Sequence, residues 1–386
     1  MVAGKSGRQS VDSMAQRRRP LATVLCVTLA CACGSGGDAG SPDCGGAARH
    51  AWLVATERAG PDQSGVVLRS YDGGATWARA GTFPDGGRAH VDFGSADVGW
   101  LVTQDGGLQR SDDGGATWAD QRGGITTLLT GPPILRSVFA RDSSTALVVG
   151  EAVTDDSPVP AKSLPLLLHT EDGGRDWRAI PLPGEHVRTF LDGICLDDAG
   201  VGLAVGNRFD GSTFALSSSD SGATWRDISI SIDGAVGPEC AGDGRLWVVT
   251  PRALLGSDDG GASWSERRFA DLVVARLPRF LDVEFLPSGV GWIFGTRASE
   301  LGDDTPLLLQ SRDAGRSWSD IPLGLPITGG GLQFGLIVDD SRAIAVGDAA
   351  LGNPVLFTPD AGASWQRAEL PGGLGQITIW GGAVAP

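Results

Sequence analysis

Seven aspartates of this 386-residue chain stand five residues before a tryptophan: Asp72 and Trp77, Asp113 and Trp118, Asp172 and Trp177, Asp220 and Trp225, Asp259 and Trp264, Asp313 and Trp318, Asp360 and Trp365. A carboxylate has two chemical uses in such a setting. In a cleft it is a general acid or base, and glycosidases employ such groups in pairs or replace one by a tyrosine nucleophile. In a turn it accepts backbone N–H groups of its own loop. The surroundings decide for the turn. The octets read SYDGGATW, SDDGGATW, TEDGGRDW, SSDSGATW, SDDGGASW, SRDAGRSW and TPDAGASW, and each follows a short apolar run such as Val66-Val67-Leu68 or Leu166-Leu167-Leu168. That places each at a hairpin, where Gly supplies positive φ and the Trp opens the outgoing strand and packs between neighbouring sheets. A motif repeated seven times is expected to staple seven turns rather than to form seven active sites.

The elements that carry these turns follow from the spacing. Successive tryptophans lie 41, 59, 48, 39, 54 and 47 residues apart, the period of an array of four-stranded units. Between octets a near-continuous apolar run recurs, at Gly99-Trp100-Leu101-Val102, 146–150, 202–206, 246–249, 291–295 and 343–347. Such runs suit strands covered on both faces. A shorter run precedes most of them, as in Val91-Asp92-Phe93 and Val283-Glu284-Phe285. The first unit lacks this leading strand, because Ala51-Trp52-Leu53-Val54 already has the second-strand pattern, and the last run, Gln376 to Trp380, has no octet after it. Residues 374–380 are therefore expected to pair beside residues 50–55, so that the termini share one unit and close a ring without exposed sheet edges. The fold class is all-β: a monomeric seven-bladed β-propeller of four-stranded antiparallel blades over residues 48–386. The 59 glycines suit many short strands joined by tight turns.

The octets resemble the Asp-box, or BNR repeat, of bacterial β-propellers. Their alternation with Gly-Trp strands is similar to the photosystem II stability/assembly factor family, and to the wider BNR-repeat group of bacteria without photosynthesis. The resemblance spans residues 48–386 and implies an exported propeller that binds a client protein segment through an arginine-rich patch. Two groups of enzymes share parts of the pattern. Sialidases carry Asp-boxes, but the one tyrosine here, Tyr71, lies inside an octet, on the face opposite the usual ligand site. Xyloglucan-degrading propellers use paired aspartates across a cleft between two seven-bladed domains. The acid pairs Asp155-Asp156 and Asp303-Asp304 are candidates for that role, yet only one seven-fold domain fits this chain. A non-enzymatic binding protein is expected, with a glycoside hydrolase or glycan-binding propeller as the alternative.

The N-terminus reads Arg17-Arg18-Arg19-Pro20, an apolar run from Leu21 to Ala30, then Cys31-Ala32-Cys33 and a Gly/Ser-rich stretch. The apolar run is too short to span a bilayer and fits a secretory signal over residues 1–32. It resembles a bacterial lipoprotein signal, with Cys33 as the lipidated residue, Cys31 as its rival, and residues 33–47 as a tether. Ordinary cleavage to a soluble secreted protein is the alternative, and Met14 competes with Met1 as the start. The formal charge is −15. Residues 1–32 hold five basic residues against Asp12, so removing them leaves −19, which argues against general nucleic-acid binding. With Cys33 acylated, Cys44, Cys195 and Cys240 remain. Cys195 and Cys240 fall near the ends of leading strands in adjacent blades, either as a disulfide or as two buried thiols. The four histidines are scattered, and no CxxC, HxxxH or phosphate-loop spacing occurs, so no metal or cofactor is expected.

The remaining candidates are arginines. Arg208, Arg252 and Arg297 end the second strand in three successive blades, and Arg88, Arg136, Arg188 and Arg279 lie one to four residues before leading-strand runs. Both positions belong to the face away from the octets. These arginines are expected to crowd one mouth of the channel, suited to bidentate capture of carboxylates from an envelope protein, a peptide or an acidic glycan. The competing reading pairs each with a nearby Asp or Glu.

Overall fold

The computed structural model describes residues 50–385 except 60–61, 85–86, 126–127, 130, 154–162, 185–187, 229, 231–233, 268, 270–277, 298–303, 328–329 and 348–354. The expected signal, the tether, Cys31, Cys33, Asp155, Asp156 and Asp303 lie outside the described residues.

Seven four-stranded antiparallel sheets form the blades. Their inner strands are Gln376–Val384 in blade 1, then Ala89–Phe93, Pro133–Ala140, Thr189–Leu196, Gly237–Cys240, Pro278–Phe285 and Leu332–Ile337. The inner strand of each blade touches that of the next around the full circle. Second strands such as Gly99–Thr103 and Ala343–Gly347 are buried along their whole length, with a sheet on either side, and Trp52, Trp100, Trp247 and Trp292 on these strands are almost wholly buried. This double cover is the reason the runs are continuously apolar.

The octets are built as turn staples. In blade 1, Asp72 Oδ1 accepts Thr76 N at 3.0 Å and the Ser70 hydroxyl at 2.8 Å, Ser70 Oγ accepts Gly74 N at 2.9 Å, and Trp77 Nε1 donates to Gly74 O at 2.9 Å. The carboxylate bond to the residue four positions on recurs at Asp113, Asp172, Asp220, Asp259, Asp313 and Asp360. At Asp259 the Ser263 hydroxyl, the Ser263 N–H and the Ser257 hydroxyl hold the carboxyl down to a pKa of about 2. The position after each of these aspartates is left-handed and accepts Ser221, Ala314 or Ala361 in place of Gly, at φ of 62°, 56° and 57°. The next position is Gly in all seven, and at Gly74, Gly222, Gly315 and Gly362 it packs on the second strand of the preceding blade. A Cβ on Gly315 would stand 2.4 Å from Trp247, and one on Gly362 would stand 2.6 Å from Trp292.

The ring closes between the termini, with a register that differs from the sequence expectation. Ala55–Arg58 pair with residues 376–379, and Ala51–Val54 pair with residues 381–384, so the closing strand runs four residues beyond Trp380. A bulge between Val54 and Ala55 leaves Trp380 out of the register, and its Nε1 donates to Thr56 Oγ1 at 2.6 Å. Gly382 permits the extension, since a Cβ there would lie 2.7 Å from Trp52 O.

Candidate functional site

The seven inner strands enclose a central channel of about 510 Å³. An inner strand has one unpaired edge, and its N–H groups need acceptors other than a fifth strand. Carboxyls of the preceding blade supply several of them. Asp92 Oδ2 accepts Ala140 N at 2.7 Å, Glu239 Oε1 accepts Phe285 N at 3.1 Å, and Asp282 Oδ2 accepts Gly335 N at 2.9 Å. Burial raises the pKa of Asp92 to about 6 and pushes Glu239 and Asp282 well above the usual carboxylate range. Burial, together with the charges of Glu239 and Asp282, does the same to Glu284. His90, also in the wall, is lowered by burial to about 4. These groups were not among the sequence candidates. For Asp92 and Glu284 the signal was the acid between two apolar residues in Val91-Asp92-Phe93 and Val283-Glu284-Phe285, whereas Glu239, in Gly-Pro-Glu-Cys, had no such signal. Cys195 and Cys240 also line the channel and are joined as a disulfide between blades 4 and 5, with Cα atoms 5.6 Å apart.

At the mouth away from the octets, the seven candidate arginines divide. Arg136 sits at a bulge between Leu135 and Ser137, which re-aims it across the inner strands. It reaches Glu151 Oε1 at 2.8 Å and Asp192 Oδ1 at 3.4 Å, and its guanidinium lies 4.1 Å from the centre of the Phe190 ring. Asp192 is itself at a bulge and accepts Asn207 Nδ2 at 2.6 Å; burial raises its pKa in spite of these partners. Arg208 donates to Thr213 O at 3.1 Å and lies over Phe214, and Arg297 donates to Pro306 O at 3.0 Å and pairs with Asp320. These three are committed within their own surroundings.

Arg88, Arg188, Arg252 and Arg279 are exposed. Arg88 lies over the Trp380 ring at 5.4 Å. Arg188 adopts a left-handed backbone, φ 60°, in which its N–H donates to Ser163 O at 2.9 Å and its carbonyl accepts Phe209 N at 3.1 Å. A bulky side chain in that conformation is strained and is held by the two blades it bridges. The bond from Phe280 N to Pro251 O, 3.1 Å, brings the Arg279 end of blade 6 to the Arg252 turn of blade 5. Among the described residues, four of the five exposed large apolar side chains share this face: Leu128, Leu164, Phe209 and Val236. The fifth, Tyr71, stands in an octet on the other face, beside His50 and Arg69.

The chain shares its fold with YCF48. YCF48 bound to D1 peptide superposes with a TM-score of 0.54 at 19% identity, over 74% of this chain and 82% of that one. YCF48 from Cyanidioschyzon merolae superposes with a TM-score of 0.51 at 17% identity, over 80% and 98%. A puromycin-hydrolyzing peptidase of Mycobacterium tuberculosis gives 0.54 at 13% identity over 83% of this chain, which spans about half of that longer protein (54%). Neither a family model nor a curated protein matches the sequence. At these identities the likeness is one of fold.

Proposed function

We propose that this protein acts by binding rather than by catalysis, and holds an extended client segment across the channel mouth opposite the octets. The observation that carries this reading is the coincidence, on that face, of Arg88, Arg188, Arg252 and Arg279 with the exposed Leu128, Leu164, Phe209 and Val236. An apolar segment bearing carboxylates meets both kinds of group, and guanidinium forks reward carboxylates with paired hydrogen bonds. YCF48, of the same fold, has been seen with a D1 peptide, which supports a peptide as the ligand class. The channel carboxyls Asp92, Glu239 and Asp282 are occupied with backbone N–H groups of the next blade, a structural employment that favours binding over acid–base chemistry. In this reading residues 1–32 are removed on export and a lipid on Cys33 holds the propeller at the cell envelope.

The test is fluorescence anisotropy with a labelled peptide of alternating apolar and acidic residues. Reversing Arg88, Arg188, Arg252 and Arg279 to Glu is expected to weaken binding roughly tenfold or more at low salt and by less at high salt. Reversing the exposed octet-face residues Arg175, Arg226 and Arg316 should leave binding unchanged. Equal loss from both sets would reject the mouth as the site, and release of reducing ends from polysaccharides would reject the non-catalytic reading.

A further inference from the structure

The wall of the channel is weakest at blade 5. Its inner strand, Gly237–Cys240, has four residues, the fewest of the seven, and all four are only partly buried, whereas each of the other six inner strands includes fully buried residues. Composition explains this. Gly237 and Pro238 are poor strand formers, and Pro238 has no N–H to give. Pro238 abuts blade 4 where that blade has Gly193, at which a Cβ would come within 2.5 Å of the proline ring. Along its length the strand is held by its register with Leu246–Val249. Two side-chain links tie it sideways: Glu239 Oε1 accepts Phe285 N on blade 6, and Cys240 is bonded to Cys195 on blade 4. Both cysteines line the channel, and Cys240 is only half-buried, so a small thiol in the channel has a route to the bond.

We propose that the Cys195–Cys240 disulfide is a redox lock on this wall. Oxidised, it fastens blades 4 and 5 at the channel. Reduced, it lets Gly237–Cys240 part from Thr189–Leu196 and opens the channel between those two blades. The reductant is a dithiol. One of its thiolates attacks a sulfur of the bond, forms a mixed disulfide and releases the other cysteine as a thiolate that takes up a proton. The second thiol of the reductant then displaces the first cysteine, leaving two protein thiols and a cyclic disulfide on the reductant, with two electrons transferred. The opening is local, because the pairing of Gly237–Cys240 with Leu246–Val249 and the link from Glu239 to Phe285 do not involve sulfur.

Hydrogen exchange read by mass spectrometry on the full chain, oxidised and in the presence of dithiothreitol under native conditions, tests this. A parallel alkylated sample counts the thiols. On reduction the amides of Gly237, Glu239 and Cys240, on a short strand freed from blade 4, should exchange roughly tenfold faster, while residues 246–249, which also pair with Leu254–Ser257, and residues 89–93 and 332–337 keep their protection. A Cys195→Ser/Cys240→Ser variant should show the same pattern without reductant, and if it fails to fold the reduced wild type still decides. Three results would overturn the lock: a bond that resists native reduction, blade 5 exchange unchanged after full reduction, or faster exchange spread evenly over all blades, the mark of a general stabiliser.

Discussion

Replacing Gly315 by Ala isolates the contact through which an octet joins its blade to the one before. Gly315 sits at φ 76°, and an added Cβ would lie 2.4 Å from Trp247 Cη2, 2.7 Å from Cζ2 and 3.2 Å from Phe285 Cζ. Trp247 cannot simply recede: it is 0% exposed and stacks on Phe285 with centroids 4.7 Å apart and planes 12° from parallel. A left-handed backbone costs an L-residue about 1–2 kcal/mol. Forcing a methyl into a filled core adds about 1–3 kcal/mol. Together these give a loss of about 2–5 kcal/mol for Gly315→Ala. The neighbouring Ala314, at φ 56°, is a built-in control, since it already bears a Cβ in the left-handed region. Ala314→Gly should change stability by less than about 1 kcal/mol, relief of strain being offset by a freer unfolded chain. Guanidinium denaturation followed by tryptophan fluorescence, compared at equal m-value, measures both. A Gly315→Ala midpoint no different from wild type would refute the claim that this position is Gly for packing against the preceding blade.

Asp92, with its pKa raised to about 6, and Glu239 and Asp282, raised by burial, hold protons that the unfolded chain has already lost, so stability should fall as pH rises from the ordinary carboxylate range through 6 and above. Asp259, lowered to about 2, acts in the opposite sense, and its contribution should vanish as pH falls towards 2. Urea titrations across pH should therefore show a maximum on the mildly acidic side, with Glu239→Gln flattening the alkaline limb; a maximum at alkaline pH would contradict the assignment. Deleting residues 374–386 removes the strand paired to Ala51–Arg58 and frees that edge, so the truncated chain should aggregate or unfold on size exclusion. A truncated monomer with an unchanged melting temperature would count against ring closure.

How much of this could be read from the sequence depended on whether the interaction was local. The octet staples join residues two to four positions apart, so Asp72, Ser70 and Thr76 carried their own explanation, and their repetition carried the blade count. The doubly covered second strands showed as unbroken apolar runs. Ring closure was legible as a spare strand, but not its register, because the bulge at Trp380 and the close passage of Gly382 depend on the partner strand. The inner strand of blade 5 has no apolar run at all, only Gly-Pro-Glu-Cys. The channel carboxyls bind N–H groups 46 to 53 residues away, a distance no local pattern encodes. For the arginines, the sequence placed them on one face, but whether each was committed depended on partners such as Glu151, which reaches Arg136 from a neighbouring strand at a bulge.

The mouth away from the octets is the surface proposed to receive an extended client segment. A photoreactive phenylalanine analogue at Phe209, 48% exposed beside Arg188, and separately at Tyr71, 56% exposed on the octet face, allows one direct comparison with the same acidic, apolar peptide. The peptide should cross-link at position 209, with the yield lowered when Arg88, Arg188, Arg252 and Arg279 are reversed, and not at position 71. Cross-linking at position 71 with none at 209 would contradict the proposal.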